Sequence, residues 1–399
     1  MLFATLAIGM LASCSKDSGA GIEAPIDPDA PLEISLGVKQ TTLQTNVKTK
    51  GIGGIGDLET NANNWNGETL YIYALSTESS DVVPTNEKAT APTGSENAAI
   101  TWADDTKHFY YGGTSIYTFY GYHIDDAAGD TPVPTKDDAI GVYSIPFKIN
   151  GTQDLMVAAT DKTADIAASS GGVTEDQAAN LYSAWSVRRG VTPNLIFKHL
   201  LSRLKFTVKA GNQPTAEANV SITKIEVYSK SEGTLVVVPS ADGTTMKQGL
   251  TNVTDFPEGF PENLTGVTPF ELMQAPDAST ASKDLVALQP VVADSKDTPK
   301  TVGESMLVIP ADSYKMVVTT SQEINGNIQT GTIIKTLEKP SKDGVIADSF
   351  VEGNQYTINI MVYGLEEITV NATLTAWKDG GSITIDPDDE PASTTTPQP

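Results

Sequence analysis

Apolar and polar positions alternate along most of this chain, and the period is two. Leu32, Ile34, Leu36 and Val38 fall on one side of the first such run, with Glu33, Ser35 and Gly37 on the other. That is the mark of a strand buried on one face. The same reading predicts strands over 70–75, 115–122, 154–158, 204–209, 235–238, 306–309, 314–319, 331–334 and 356–362. The longest alternation comes late. Ile368, Val370, Ala372, Leu374 and Ala376 face one way, and Thr369, Asn371, Thr373, Thr375 and Trp377 face the other. A run of that length spans roughly 33 Å as a strand. The polar stretches 76–98 and 125–140 read as surface insertions, and 174–182 reads as a short helix. No repeat recurs at a solenoid or propeller period. The pattern therefore predicts an all-β chain.

Length and composition divide it. A chain of 399 residues is long enough for two or three domains. The spacing of strands fits two β-sandwiches, over 51–195 and 196–386. Residues 387–399 form an acidic Pro/Thr tail. Lys and Arg number 26 against 50 Asp and Glu, a formal charge of −24. Such a surface repels nucleic acid and anionic lipid, so neither is an expected partner.

The N-terminus changes the picture again. Residues 2–11 are apolar, and Leu11-Ala12-Ser13-Cys14 follows. A short apolar run ending in small residues is a secretory signal, not a membrane span. Cys14 is the only cysteine, and its position resembles a bacterial lipobox. Residues 1–13 then form the signal, and 14–50 a lipidated tether carrying the N-terminal strand. With Cys14 lipidated, no disulfide or cysteine-based metal site remains. The Gly-rich loop 48–54, with Lys48, Lys50 and Gly51, reads as exposed and open to proteases.

The search for chemistry finds none that is specific. Ser202 lies three positions from His199, but a dyad needs an orienting group and a cleft as well. The carboxylates are too numerous for any pair to stand out. Gly51–Gly54 lacks the Lys-Ser/Thr and helix of a phosphate loop. Residues 386–390 are acidic without a calcium-loop geometry. No catalytic residue, cofactor or metal is expected, and the chain reads as non-enzymatic. Tyr110, Tyr111, Tyr117, Phe119, Tyr120 and Tyr122 read mainly as core and cross-strand pairs.

The two ends match. Each carries a strand with one apolar face, and a cleavable loop joins the first to the body. If Leu32, Ile34, Leu36 and Val38 fill a groove, cutting near Lys50 and Gly51 would empty it. A strand bearing Ile368, Val370, Ala372 and Leu374 from another molecule could then refill it. Head-to-tail contacts of this kind build filaments.

The lipobox, Asp154-Leu155-Met156-Val157-Ala158, the alternating run from Phe197 to Val208, Gly353-Asn354-Gln355-Tyr356 and the ending Ile368 to Trp377 together resemble the fimbrillin family of Bacteroidetes, the type V pilins. The resemblance implies two transthyretin-like β-sandwich domains in tandem. It implies export as an outer-membrane lipoprotein, removal of the N-terminal strand by a trypsin-like maturation protease, and polymerisation by donor-strand exchange into an adhesive fimbrium. The implied partners are other copies of the chain or related pilins, joined head to tail. A host protein or glycan is the implied adhesion target. Cys14-Ser15-Lys16-Asp17 also resembles a surface-export signal. Family members studied as pilus subunits are often cut after arginine, whereas the only arginines here are Arg188, Arg189 and Arg203. Lys50 is therefore the first choice of site, Lys48 the second and Lys39 the third. The alternative is an uncut, monomeric surface lipoprotein: an anchor, a tip, or a glycan- or protein-binding module.

Overall fold

The computed structural model describes residues 32–40, 67–78, 83–92, 99–103, 106–111, 115–125, 133–168, 173–188, 192–275, 285–339, 341–342, 345–346 and 349–375. Cys14, Lys50, Gly51, Trp377 and the tail 387–399 lie outside them. The strands of the main sheets are β1 (Gly37–Gln40), β2 (Thr69–Ser76), β3 (Thr85–Thr90), β4 (Thr101–Trp102), β5 (Tyr117–Ile124), β6 (Val142–Lys148), β7 (Leu155–Thr160), β8 (Asn194–His199), β9 (Ser202–Ala210), β10 (Ser221–Tyr228), β11 (Glu232–Val238), β12 (Lys300–Val308), β13 (Tyr314–Ile324), β14 (Asn327–Leu337), β15 (Gln355–Val362) and β16 (Ile368–Thr375). The described residues are almost entirely β, as the alternation predicts, with a few short helices.

The first sheet has the order β1-β8-β7-β5-β2-β3-β4. Its neighbours are antiparallel, except that β1 runs parallel to β8. Its central strands read as unbroken apolar runs because both of their faces are covered. Tyr71, Tyr73, Tyr122, Leu155 and Val157 point into one core. Leu70, Ile72, Ala74, Phe119, Met156, Ala158, Leu195 and Phe197 point into another. On the first face lies a second sheet, in which β6 pairs with β11. Tyr143 of β6 brings its ring 4.9 Å from Tyr73. Gln248 Nε2 ties the layers by donating to the carbonyls of Ala158 and Val237.

The rest of the chain builds a second pair of sheets. One has the order β12-β9-β15-β16, and the other contains β10, β13 and β14. Along β9, Leu204, Phe206 and Val208 are buried while Lys205, Thr207 and Lys209 are less so. This is the alternation read from the sequence. Between the layers pack Ile225, Val227, Met316, Val318, Ile358 and Ile360. The β13–β14 hairpin turns at Asn325 and Gly326, both left-handed at φ +53° and +77°. That backbone suits a type I′ turn and the twist of its strands.

Two details differ from the sequence reading. The polar stretch 76–98 contains β3, a sheet strand with a single fully buried side chain, Ala89. One apolar position in six is too weak a signal for periodicity. The helix read over 174–182 is shorter, Glu175–Ala179. It starts at a capping box in which Thr174 accepts from the Gln177 amide and Gln177 accepts from the Thr174 amide. Position 195/196 lies in β8, which belongs to the first sheet. Pairing of β6 with β11 joins sequence from the two sides of that position.

Candidate functional site

The N-terminal segment 32–40 is threaded between two parts of the chain. On one side Leu32 and Glu33 pair with Tyr110 and Phe109. There the Ile34 amide donates to the His108 carbonyl at 2.7 Å, and the Ile100 amide donates to the Leu36 carbonyl at 3.0 Å. The Trp102 indole donates to the Ile34 carbonyl at 3.0 Å. On the other side the Gly37 amide donates to the Pro193 carbonyl at 3.0 Å, and β1 runs beside Asn194 to Phe197 of β8. The segment therefore completes hydrogen bonding in both directions.

Its side chains complete a core as well. Ile34, Leu36 and Val38 are at most 1% exposed and pack in the cluster that holds Ile100, Trp102, Leu195 and Phe197. Leu32 packs at its edge. Burying three such side chains is worth roughly 5–9 kcal/mol at ~1.5–3 kcal/mol each. Lys107 and Glu33 pair at 2.7 Å, but both are well exposed and add little.

At the middle of the segment sits a polar triad. Asn194 donates its backbone amide to Asp165 Oδ2 at 3.0 Å and its Nδ2 to Asp165 Oδ1 at 2.7 Å. The same Nδ2 donates to the Thr192 carbonyl. Tyr182 donates its hydroxyl to Asp165 Oδ2 at 2.7 Å. Burial, and then the carboxylate it meets, raises the Tyr182 hydroxyl well above the usual tyrosine range, so it stays a neutral donor. Two acceptors around Nδ2 fix the orientation of the Asn194 amide. Its Oδ1 is thereby turned toward Gly37.

The strand predicted as a donor occupies its own sheet. β16 pairs with β15 from Ile368 opposite Val362 to Thr375 opposite Gln355. Ile368 is 0% and Ala372 9% exposed, and Val370 packs against the same core. The Leu374 side chain is outside the described residues.

The remaining polar suspects have structural partners. Ser202 donates its hydroxyl to the Val351 carbonyl at 2.9 Å, and His199 Nδ1 bonds Asp154 Oδ2 at 2.6 Å. Each has a separate partner, as expected of structural groups. Of the aromatic cluster, Tyr110, Tyr117, Phe119 and Tyr122 are buried, and Tyr111 is exposed. Tyr110 and Tyr117 meet edge to face at 5.0 Å. The residues that sequence reasoning missed are Asn194, Asp165 and Tyr182. Gly37 carried a signal for them, since a lone glycine inside an alternating strand marks a close approach.

A family model described as fimbrillin-like matches residues 60–377. None of the curated proteins matches the chain. Among solved structures, a fimbrial protein from Bacteroides vulgatus is similar at 13% identity and a TM-score of 0.46, covering 86% of this chain and 99% of its own. The fimbrial anchor protein Mfa2 from Porphyromonas gingivalis is similar at 10% identity and a TM-score of 0.31, covering 87% of this chain and 99% of its own. The tip fimbrial protein Mfa3 from the same organism, C-terminally truncated, is similar at 10% identity and a TM-score of 0.33, covering 87% and 100%.

Proposed function

The chain belongs to the fimbrillin-like family of non-enzymatic fimbrial proteins, and from that premise we propose that it is a fimbrial subunit assembled by strand exchange. In this reading it is exported through its signal, lipidated at Cys14 and tethered to the outer membrane. A trypsin-like protease cuts between Lys50 and Gly51. The segment bearing Leu32, Ile34, Leu36 and Val38 then leaves, and a strand from another subunit takes its place. The donor strand of this chain bears Ile368, Val370, Ala372 and Leu374, and the finished fimbrium supports adhesion to a host protein or glycan.

The observation that carries the reading is the seat of segment 32–40. A terminal strand bonded on both sides, with its apolar face at most 1% exposed, leaves an open groove when it departs. Exposed apolar pockets and unpaired backbone groups are costly until refilled, and that cost drives capture of a new strand.

The test is to treat residues 15–399 with a lysine-specific protease, sequence the new N-terminus and run a native gel. A start at Gly51 with a ladder of oligomers is expected. A clean cut that leaves only monomers would overturn polymerisation.

One observation favours a second reading. β16 is paired along its whole length within its own sheet, so it must leave that sheet before it is donated. An uncut, anchored surface lipoprotein needs no such step. Binding of the intact monomer to a glycan array, with no cut near Lys48 or Lys50, would support it.

A further inference from the structure

We propose that Asn194 is a selectivity gate in the strand groove, favouring strands with glycine at the position opposite it. The inference deepens the strand-exchange reading and rests on it. Gly37 stands opposite Asn194 in the parallel register. Its backbone is not left-handed, so glycine is not required there by conformation. It is required by space. A Cβ added to Gly37 would sit on Asn194 Oδ1 and 3.1 Å from Asn194 Cγ.

A short side chain tip could ordinarily swing away, but this one is held. Nδ2 is bound to both Asp165 and the Thr192 carbonyl. Asp165 is 4% exposed and is held in turn by Tyr182 and by the Asn194 amide. Moving Oδ1 would take Nδ2 off a buried carboxylate, and stranding a buried charged acceptor is costly. The gate therefore reads the entering backbone for a missing Cβ. The three apolar positions around it set the rest of the motif: apolar, any residue, apolar, glycine, apolar, as in Ile34-Ser35-Leu36-Gly37-Val38.

The chain's own C-terminal strand does not satisfy that motif. To place Ile368, Val370, Ala372 and Leu374 in the apolar pockets, every in-phase register puts Thr369, Asn371, Thr373 or Thr375 at the gate. Each brings a Cβ onto Asn194. The groove thus favours a glycine-bearing strand of a different pilin, and this chain extends itself into a homopolymer only weakly.

The test is a double-mutant cycle on the full chain, read by amide hydrogen exchange over residues 32–40. Gly37→Ala is expected to speed exchange there about tenfold. In an Asn194→Ala background, where the two Cβ atoms would lie 3.9 Å apart, the same change is expected to have little effect. Equal acceleration in both backgrounds, or none in either, overturns the gate. A second arm compares oligomers after lysine-specific cleavage. Asn194→Ala is expected to raise self-association well above wild type. Efficient self-association of wild type, unchanged by Asn194→Ala, overturns the gate and leaves strand exchange standing. Coupled exchange rates with no oligomers in either protein overturn strand exchange and, with it, the gate's role in choosing a donor, and leave only the Gly37–Asn194 contact.

Discussion

His123 sits between two acceptors, with Nδ1 2.8 Å from the Thr69 carbonyl and Nε2 3.1 Å from Asp125 Oδ1. Both nitrogens must donate, so the ring holds two protons. Burial works against that charge. The hydrogen bond and the charge of Asp125, with help from Thr69 and Asp154, outweigh it and push His123 up to about 9. Asp125 is the counterpart. Burial pushes it up, but bonding to His123 holds it below the usual carboxylate range. The sign follows from linkage. The His123 contribution is complete below its unfolded value of 6.5 and is lost as pH rises through about 9. The Asp125 contribution is present above its unfolded value of 3.8 and is lost on acidification. The melting midpoint is therefore expected to fall between pH 6.5 and 9, and His123→Gln should flatten that slope. An unchanged slope in the variant would place its origin elsewhere. At Tyr182 the backbone is left-handed, φ +67°, which costs an aromatic residue on the order of 1–3 kcal/mol. Its hydroxyl on Asp165 helps to hold it there. Tyr182→Phe is expected to lower stability by about 1–3 kcal/mol in a denaturant melt.

Elements, not single residues, decide how the two terminal strands behave. The N-terminal segment contributes three buried apolar side chains, both donates to and accepts from the flank at 100–108, and donates to the Pro193 carbonyl on the other. Leu36→Ala should cost the uncut chain roughly 2–5 kcal/mol. Ser35→Ala, on the exposed side, should cost almost nothing. Equal effects in thermal melts would mean that the segment is not seated as described. The C-terminal strand follows the same alternation. Ile368→Asp places a charge in a fully buried position and should prevent the second pair of sheets from folding. Thr369→Lys, on the exposed side, should be tolerated. Circular dichroism and solubility distinguish the two.

Across the whole molecule, the pairing of β6 with β11 makes the two halves depend on each other. Residues 51–195 expressed alone would lack both β11 and the segment 32–40. The faces carrying Tyr71 and Tyr73, and Ile72 and Leu195, would then lose their cover. That fragment is expected to be insoluble or to give a poorly dispersed amide spectrum, and a well-folded fragment would refute the interdependence. Charge acts at the same scale. Subunits of formal charge −24 repel at a distance, so association should strengthen as salt rises to ~0.15 M, where screening reaches about 8 Å.

Much of this was legible along the chain. Side chains two apart share a strand face, so alternation alone marked the N-terminal segment, β9, β15 and β16. The same rule missed β3, whose lone buried Ala89 leaves no period to see. By itself the sequence determined which strongly alternating segments become strands, which face of each is apolar and how strongly the chain repels anions. Only the tertiary structure decided which strands are neighbours. Gly37 meets Asn194, Asn194 meets Asp165 and Asp165 meets Tyr182, because packing of sheet faces brings distant segments together. Periodicity is a property of neighbours two residues apart, and it carries no information about a partner more than a hundred positions away.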